Sequence, residues 1–488
     1  MTDKPEPAHR APGIGQALLP VGVLVALLAS SVALFGDSSS SGPNQMALLL
    51  SAGVGILVGL RNGYTWKELE SGIVHGISLA MGAILILLIV GSLIGTWILA
   101  GVVPTMIYYG LQILNPSVFY AAACAICALV SLATGSSWTT ASTIGIALVG
   151  IATAQDLHLG LTAGAIVSGA YFGDKMSPLS DTTNLAPAMA GTELFTHIRH
   201  MVWTTAPSMT LALLMFGAAG FMAPAPTEPP DLTVILATLR ESFAIGPHML
   251  LPAAVVLYLV KRRMPAFPAL LLGALLGGVF AVVFQQKALL TFVGDTTLPT
   301  GVALLKGVWI SLFDGFTLKS GNTALDELLS RGGMSSMLNT VWLILMAMTF
   351  GAVMETTKCL EKLAATILGF VRGTGSLISA TLLTSIGMNI VASDQYIAIV
   401  IPGRMFRAEY RRRRLHPKNL SRALEDAGTL TSVLVPWNTC GAFFAQTLGI
   451  ATFTYLPFCF FNLINPIVSA VYGFTGFTIE PLAEDDDR

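Results

Sequence analysis

Charge is the scarcest property of this chain of 488 residues. Asp, Glu, Lys and Arg make up only 11% of the residues, against roughly a quarter in soluble domains, while 54% are hydrophobic and the mean hydropathy is +0.73. This composition excludes an ordinary soluble domain. The apolar runs also lack the alternation of apolar and polar residues that a membrane β-barrel requires, so they predict membrane-spanning helices.

Cysteine is scarce too, and its placement predicts no metal or redox chemistry. All five cysteines fall in or beside apolar runs, and the CxxC pair Cys124 and Cys127 has no second pair nearby, so buried thiols are expected. The chain has no HExxH motif, and "GAYFGD" lacks the tight GxGD spacing of intramembrane aspartyl proteases. We therefore expect neither an enzyme nor a cofactor.

Long apolar runs are what the sequence has in abundance. Several reach the roughly 18 to 20 residues that span a bilayer, among them "IGQALLPVGVLVALLASSVALF", "ISLAMGAILILLIVGSLIGTWILA" and "FPALLLGALLGGVFAVVF". Because Lys and Arg concentrate in cytoplasmic loops, Lys4 and Arg10 predict a cytoplasmic N-terminus. The first run is expected to remain as a helix rather than to be cleaved. A multi-pass protein of the bacterial inner (plasma) membrane is predicted.

Two apolar segments are interrupted by polar residues, and both are predicted to be re-entrant hairpins. The first, about 117–153, breaks at "TGSSWTT" (Thr134–Thr140) between flanks that lack Lys and Arg. The second, about 376–402, breaks at "GMNIVASDQY" between positively charged flanks, so it is expected to open to the opposite side. Each hairpin precedes a helix that is broken at a proline, about 162–190 and about 423–452.

The order helix, helix, hairpin, broken helix, helix occurs twice in opposite orientation. We therefore predict an all-α polytopic membrane protein with two inverted-topology repeats, each with a re-entrant hairpin and a broken transmembrane helix. The predicted divisions are a cytoplasmic tail at 1–13, a first half at 14–222, a Pro-rich extracytoplasmic connector at 223–247, a second half at 248–475 and an acidic tail at 476–488. Within the second half, "TALDELLSRGG" predicts a short amphipathic surface helix.

The helix breaks supply candidate ion ligands. An unwound backbone inside the membrane must face protein or water, and an ionisable side chain there indicates function. Asp181 is the leading candidate for an ion or proton site, followed by Asp394 and Asp174. The rest of the predicted ion- and proton-binding set is Ser136, Ser137, Thr139, Thr182, Thr183, Asn184, Asn438 and Thr439. Within this set, Na⁺ is expected at Asp181, Ser137, Thr139 and Thr182.

Other charged residues near the breaks are expected to serve the structure. Lys175 is predicted to pair with Asp174 or to extend to the membrane interface. Glu425 and Asp426 are predicted to neutralise the arginine run at 404–422. The histidines assigned to solvated cytoplasmic loops are His197, His200 and His416.

Three parts of the sequence resemble one known family. They are "SGAYFGDKMSPLSDTTNLAPAMAGTELFTHIRHM" (Ser168–Met201), "SLATGSSWTTASTIG" and, further on, "ASDQYIAIVIPGRMF" with "EDAGTLTSVLVPWNTCGAFFAQTLG". They resemble the signature region and the other marked segments of NhaC-type Na⁺/H⁺ antiporters, and the resemblance runs from about residue 45 to residue 475. It implies inverted repeats with two opposed hairpins and sodium–proton exchange. The family also includes malate/lactate exchangers and is suspected of carrying amino acids.

The leading hypothesis is a Na⁺/H⁺ antiporter that exports Na⁺ by alternating access, with Asp181 and Asp394 alternating between Na⁺ and protons. The alternative is a Na⁺- or H⁺-coupled exchanger of small organic anions or amino acids, against which the lack of a mid-membrane arginine counts. A channel is disfavoured because opposed hairpins suit alternating access. The expected partners are membrane lipid, Na⁺ and H⁺, with a small carboxylate or an amino acid under the alternative. A homodimer is left open, and no nucleic acid is expected.

Overall fold

The structure, a computed structural model, describes residues 9–35, 39, 41–222 and 232–482. Within these ranges the chain is helical apart from its connections and one isolated antiparallel bridge, Leu415 to Pro481. Nine of the described helices are long and apolar enough to cross a membrane, or eleven spans if each of two bent pairs counts as one. The prediction of an all-α polytopic membrane protein is confirmed. Parts of the predicted tails and of the Pro-rich connector lie outside the described residues.

Four helices precede the first interrupted segment. They are α1 (Ile14–Phe35), α2 (Pro43–Arg61), α3 (Trp66–Leu99) and α4 (Val102–Ile113). The first hairpin and the helices that follow it are α5 (Phe119–Thr134), α6 (Ser137–Thr140), α7 (Ile146–Ala154), α8 (Leu159–Met176), α9 (Asp181–Ala190) and α10 (Leu194–Met222). A π-helical turn at Ala141–Gly145 joins α6 to α7, so that these two form one arm of the hairpin.

Eight helices separate the two interrupted segments. They are α11 (Leu232–Ser242), α12 (Leu251–Lys261), α13 (Ala266–Phe284), α14 (Gln286–Val293), α15 (Thr300–Phe313), α16 (Thr323–Leu329), α17 (Leu338–Thr356) and α18 (Cys359–Leu368). Helix α16 lies in the stretch predicted as a short amphipathic helix. Helix α11 occupies part of the predicted connector, where Ile235 and Leu239, one turn apart, are buried.

The second interrupted segment ends the transmembrane part of the chain. Its helices are α19 (Thr374–Val391), α20 (Gln395–Arg412), α21 (Pro417–Leu424), α22 (Thr439–Leu448), α23 (Thr452–Tyr455) and α24 (Phe460–Thr475). Helix α20 continues through Pro402 to Arg412, so much of the arginine run belongs to this helix rather than to a loop after the hairpin. A π-helical turn at Glu425–Thr429 and a 3₁₀ turn follow α21 before the chain breaks at Pro436.

The two interrupted segments have the same structure, and their equivalent residues are separated by the same number of positions throughout. Ser136 caps α6 and Asp394 caps α20, and these residues are 258 positions apart (394 minus 136). The same difference separates Ser180, which caps α9, from Asn438, which caps α22. Three further pairs with matching backbone roles share it: Asp156 and Arg414, both with positive φ; His158 and His416, both helix caps; and Gly191 and Gly449, both left-handed helix ends. We call residues 119–191 the first repeat and residues 377–449 the second repeat.

Equivalent hydrogen bonds tie each hairpin to its broken helix. In the first repeat the Ser131 hydroxyl donates to the Ala170 carbonyl at 2.6 Å, across 39 positions. In the second repeat the Asn389 amide donates to the Gly428 carbonyl at 2.8 Å, also across 39 positions. These four residues occupy matching positions in the register, so the two repeats share tertiary contacts as well as helix boundaries.

The repeats pack against each other reciprocally. Helix α9 of the first repeat packs on α20 of the second, and α22 of the second packs on the arm of the first hairpin that runs from the π turn into α7. On this second contact the rings of Trp138 and Phe443 stack with centroids 4.0 Å apart. Exchange of equivalent contacts is the signature of two-fold symmetry. The prediction of two inverted-topology repeats is confirmed.

Helices α3, α13, α15 and α17, which lie outside the repeats, form a support for them. Helix α3 packs against α13, α15 and α17, and the Trp97 indole donates to the Gly273 carbonyl at 3.0 Å. Helix α22 contacts both α3 and α17, and α19 contacts α18. The support therefore contacts the second repeat directly. All five cysteines are buried, as predicted.

Candidate functional site

A buried carboxylate lies where the first hairpin meets the first broken helix. Asp174 is in the last turn of α8, just before the break, and only 8% of the residue is exposed. Its two carboxylate oxygens accept hydrogen bonds from the Ser137 and Ser180 hydroxyls, each at 2.5 Å. Hydrogen bonds to an ionised group are among the strong ones in proteins. One carboxylate therefore joins the hairpin tip to both ends of the helix break.

Further oxygen atoms surround this carboxylate. The Ser180 and Thr182 hydroxyls lie 3.2 Å apart, and the Thr183 hydroxyl donates to the backbone carbonyls of Asp174 and Lys175 at 2.9 Å each. The Thr139 hydroxyl is buried and, among the described residues, has no hydrogen-bond partner. Unwound helix segments of this kind coordinate Na⁺ or H⁺ in secondary transporters. We call the carboxylate of Asp174 with the hydroxyls of Ser137, Ser180, Thr182 and Thr183 the Asp174 centre.

The second repeat carries a neutral counterpart. The Ser432 hydroxyl donates to the Gln395 side-chain carbonyl at 3.0 Å, and this pair spans 37 positions, as the Ser137–Asp174 pair does. In the register, Gln395 aligns with Ser137 and Ser432 aligns with Asp174. The Tyr171 hydroxyl lies 3.3 Å from the Ser432 hydroxyl. Because Tyr171 precedes Asp174 by one turn of α8, this contact joins the Asp174 centre to its counterpart in the second repeat. The carboxylate at this position is therefore present in one repeat only.

Two asparagine side chains form hydrogen bonds at the tip and the helix break of the second repeat. The Asn389 amide donates to the Thr431 hydroxyl at 3.0 Å, and the Asn438 amide donates to the Asn389 side-chain oxygen at 3.2 Å. Asn438 also caps α22 by accepting from the Cys440 backbone at 3.0 Å, and the Thr439 backbone donates to the Ser393 carbonyl. These contacts hold the second hairpin tip to the second helix break.

Asp394 and Asp181 have different surroundings from Asp174. Asp394 is buried as the cap of α20, where one carboxylate oxygen accepts from the backbones of Tyr396 and Ile397 at 2.9 and 3.1 Å. Asp181 is exposed as the first residue of α9, where the positive end of the helix dipole favours a carboxylate. Tyr396 lies within electrostatic range of Asp181, Asp394 and Asp174, so the three carboxylates share one region.

A buried ion pair lies beside the Asp174 centre. The Lys175 ammonium contacts the Asp426 carboxylate, and both side chains are fully buried. Lys175 also donates to the Asn465 side chain at 2.9 Å, and Thr204 donates to Asp426 at 3.0 Å. The expectation that Lys175 would pair with Asp174 is wrong, because the partner of Lys175 is 251 positions away in sequence. Asp426 lies within electrostatic range of Arg422, the last residue of the arginine run, but forms its ion pair with Lys175.

The π-helical turn at Glu425–Thr429 directs two consecutive carboxylates inward. A π turn inserts one extra residue into a helix and is frequent at functional sites. Glu425 is fully buried, and within the described chain neither of its carboxylate oxygens has a partner at standard geometry, although the Thr429 and Thr182 hydroxyls lie close by. The expectation that Glu425 belongs with the arginine run is therefore also wrong.

Three basic residues close to this cluster are buried rather than solvated. His197 and His200 belong to α10 and are 0% and 4% exposed, which corrects their assignment to a solvated loop. Arg422 is 1% exposed, lies one helical turn before Asp426, and donates to the Thr478 hydroxyl at 2.9 Å. An arginine is therefore buried close to the ion pair, which the sequence did not reveal.

The part of the chain that contains most of this cluster matches a known family. Residues 169–477 match the Na⁺/H⁺ antiporter family. The chain belongs to this family. It is 38% identical over 467 residues to the Na⁺/H⁺ antiporter NhaC of Alkalihalophilus pseudofirmus, a similarity that covers 96% of each chain.

Two other relatives are similar at nearly the same level. The Malate-2H⁺/Na⁺-lactate antiporter of Bacillus subtilis is 37% identical over 468 residues, 96% of this chain and 96% of the relative. The arginine/ornithine antiporter ArcD of Halobacterium salinarum is 36% identical over 476 residues, 96% of this chain and 93% of the relative. These relatives are about equally similar to the chain, yet their names refer to different transported compounds.

The predicted site residues fall into two groups in the structure of this antiporter-family chain. Those brought together with Asp174 are Ser137, Thr182 and Thr183, with Ser136 as the cap of α6 and Thr139 two residues after Ser137 in the same helix. Asp394, Asn438 and Thr439 lie at the tip of the second hairpin and at the second helix break. Asn184 closes the first break by donating to the Pro178 and Ser180 carbonyls at 3.0 and 2.6 Å. Ser180 was missed, although its position between Pro178 and a new helix marks it as a cap.

Proposed function

We propose that this chain is a Na⁺/H⁺ antiporter that exports Na⁺ in exchange for H⁺ by alternating access. The observation that carries the proposal is the Asp174 carboxylate, buried between the Ser137 and Ser180 hydroxyls where hairpin and broken helix meet. An ionisable group buried in this way inside a membrane protein is expensive and indicates an ion or proton site. The membership of the chain in the antiporter family supports the same function.

Na⁺ and a proton compete for this carboxylate. When Asp174 is ionised, it and the surrounding hydroxyl oxygens supply the ligands that replace the hydration water of Na⁺. When Asp174 is protonated, it carries an O–H donor and loses its charge, while the hydroxyls rotate to accept or donate as needed. One ion leaves as the other binds, which is the requirement for exchange.

The neighbouring charges make the empty, ionised state unfavourable. Lys175 pairs with Asp426, and in the described part of the chain neither Asp174 nor Glu425 forms an ion pair with a basic residue of its own, although both are buried. A buried charge without compensation costs several kcal/mol. The carrier therefore reorients with Na⁺ or with protons bound, and not with the bare carboxylates. This coupling prevents a leak of either ion.

Alternating access follows from the arrangement of the two repeats. Transporters with inverted repeats place the ion site near the bilayer midplane and open it to each side in turn. In this chain the Asp174 centre lies next to the second repeat, through the Tyr171–Ser432 contact and the Lys175–Asp426 pair. With the N-terminus in the cytoplasm of a bacterium, the second hairpin would open to the cytoplasm and the first to the outside.

Proteoliposomes that contain a pH-sensitive dye test the exchange. With an acidic interior, external Na⁺ should raise the internal pH for the wild type, whereas Asp174→Asn should abolish the response. Glu70→Gln, which changes an exposed carboxylate on α3, is the matched control and should respond as the wild type does. Absence of Na⁺-dependent proton movement in the wild type under any imposed gradient would contradict the proposal.

A second candidate is the exchange of small carboxylates or amino acids, and one observation favours it. The Arg422 guanidinium is buried, and two of its nitrogen atoms, Nε and Nη2, have no hydrogen-bond partner among the described residues. A guanidinium with two free N–H groups binds a carboxylate in a bidentate manner. Relatives named for malate, lactate, arginine and ornithine belong to the same group of similar proteins.

Counterflow of these four labelled compounds tests the second candidate. Uptake that Arg422→Lys abolishes favours exchange of organic compounds, whereas no uptake leaves Na⁺/H⁺ exchange as the function.

A further inference from the structure

One face of α10 carries a buried polar stripe. His197, His200, Thr204 and Ser208 follow one another at spacings of three or four residues, so they share one face of the helix. All four are buried, and α10 packs on α8, α21 and α24. At 1.5 Å per residue the stripe is about 16 Å long. It extends from the first turn of α10 to Thr204, which donates to Asp426, and to Ser208.

Several buried polar atoms around this stripe have no protein partner. In the described part of the chain they are His197 Nε2, His200 Nε2, Arg422 Nε and Nη2, both Glu425 carboxylate oxygens and Asp426 Oδ2. Buried polar atoms nearly always bond to protein or to ordered water. A group of this size at one place therefore indicates bound water molecules, each of which bonds about three such atoms.

The stripe connects the ion pair with the protein surface. His200 lies close to Arg422, Lys418 and Asn419 at the beginning of α21. Lys418 is partly exposed and pairs with Glu480, whose side chain is half exposed. His197 lies within electrostatic range of Lys175 and bonds the Ser421 hydroxyl at 2.8 Å. The stripe thus runs beside α21, whose Lys418 is partly exposed, and reaches the ion pair through Thr204.

The titratable groups that face the two histidines come from few elements. Helix α8 contributes Lys175, and α21 contributes Lys418 and Arg422. Glu425 and Asp426 of the π turn lie beyond these residues, close to Lys175 and Arg422. Helices α5, α9 and α24 also pack on α10; α9 contributes the exposed Asp181, whereas α5 and α24 contain no Asp, Glu, His, Lys or Arg residue. Arg199 lies between the histidines in sequence but is exposed.

The other half of the molecule has no equivalent stripe. Helices α10 and α23 begin 258 positions apart, at Leu194 and Thr452, so the register of the repeats extends into them. In this register the ionisable residues align with neutral ones: His197 with Tyr455, His200 with Phe458, Glu425 with Val167, and Asp426 with Ser168. The Tyr455 hydroxyl is bound to the Val433 carbonyl at 3.0 Å. An ionisable route of this kind is thus built in one half only.

We propose that His197 and His200, with bound water, conduct protons between the surface at the beginning of α21 and the carboxylate of Asp426. The proposal rests on the proposed Na⁺/H⁺ exchange and assigns its proton route to one side of the molecule. Glu425, which follows α21 next to Asp426 and lies close to the Thr182 hydroxyl, joins this route to the Asp174 centre. Each step moves one proton: an imidazole nitrogen accepts a proton from hydronium in the bound water, which becomes neutral water, and the other ring nitrogen releases its proton to the next acceptor. Rotation of the ring then restores the starting tautomer. No further reactant is needed.

Two transport modes in proteoliposomes separate this role from a structural one. The variant H197Q/H200Q keeps polar side chains in the stripe but cannot relay protons. We expect its Na⁺/H⁺ exchange to fall on the order of 10²-fold, while exchange of labelled Na⁺ for unlabelled Na⁺, which moves no proton, stays at the wild-type rate. Imidazole added to H197A/H200A should restore part of the proton-coupled rate. His75→Gln, at an exposed position of α3, is the control for both modes.

Each other result overturns the proposal in a recognisable way. If the wild type exchanges Na⁺ for H⁺ and H197Q/H200Q does so at the same rate and with the same pH dependence, the histidines are not the route. If both transport modes fall equally, the histidines only support the structure. If the double variant does not fold, the single variant H200Q is measured in the same two modes. If the wild type moves no protons at all, the proposed exchange itself fails, and the route fails with it.

Discussion

Lys175 of the first repeat forms a buried ion pair with Asp426, which lies in the second repeat 251 positions further along the chain. Asp426 also accepts from Thr204 of α10, and Lys175 also donates to Asn465 of α24. A single charged pair therefore joins both repeats and the helices that follow them. Any movement of one repeat relative to the other changes the surroundings of this pair.

The first prediction concerns the stability that depends on this pair. Lys175→Met or Asp426→Asn alone leaves one buried charge without compensation and should lower the free energy of unfolding by about 3 to 5 kcal/mol. The double variant K175M/D426N removes both charges and should recover most of that loss. Thermal unfolding of the purified variants in detergent measures the effect.

An exposed pair supplies the control for this prediction. Lys306 and Asp295 form an ion pair at the surface, with the two side chains 45% and 31% exposed. Lys306→Met should change the unfolding temperature little, because exposed pairs contribute little to stability. If K175M/D426N is as unstable as the sum of its single variants, the two residues are not a coupled pair.

The second prediction ranks the carboxylates of the ion site. Asp174→Asn should abolish Na⁺-dependent proton movement, because the neutral amide cannot exchange Na⁺ for a proton. Asp181→Asn should retain exchange with a raised KM for Na⁺, because Asp181 is exposed and lies near the centre without bonding its hydroxyls. Initial rates at several Na⁺ concentrations measure both. The reverse order, with D181N inactive and D174N active, would move the ion site to the beginning of α9.

The third prediction uses the matching tips of the two hairpins. Gly135 and Ser393 align in the register, and both have a positive φ, of 71° and 60°. A Cβ atom at Gly135 would also lie 2.8 Å from the backbone of Leu179, so Gly135→Ala should lower the free energy of unfolding by about 2 kcal/mol or more. Ser393→Gly relieves the same strain and should leave stability unchanged or raise it by about 1 kcal/mol. A stabilised G135A or a strongly destabilised S393G would contradict the equivalence of the tips.

Much of the fold could be predicted because its breaks carry local signals. Pro178 and Pro436 end helices by removing a backbone donor, and Gly135 permits the left-handed turn at the first tip. Apolar runs of sufficient length predicted the spans, and the charges in the loops predicted the inversion. These signals lie within a few residues of the features that they specify.

The cluster around the ion pair could not be predicted, because its contacts join distant parts of the chain. Nothing near Lys175 indicates that its partner is Asp426, and the π turn that directs Glu425 and Asp426 inward has no simple sequence signal. The segment "HIRH" is polar and resembles a loop, yet helix packing buries His197 and His200 and leaves Arg199 exposed. Polar residues one helical turn apart, at positions 197, 200 and 204, were the available signal of a buried stripe.

The burial of Asp174 and the exposure of Asp181 could not be predicted for a related reason. Asp181 follows the proline and is surrounded by hydroxyls in sequence, whereas Asp174 precedes the break by one helical turn. The periodicity of α8 directs Asp174 towards the first hairpin tip, where Ser137 meets it from 37 positions earlier. The position of a carboxylate on its helix face therefore determines its burial more than its distance in sequence from the break.

The most direct test of the account is the dependence of the KM for Na⁺ on pH in proteoliposomes. If Na⁺ and a proton compete for the Asp174 carboxylate, the KM on the acid side should rise about tenfold for each unit by which pH falls, with the maximal rate unchanged. A KM for Na⁺ that stays constant over this range, while only the maximal rate varies with pH, would show that both ions bind without excluding each other and would contradict a shared site.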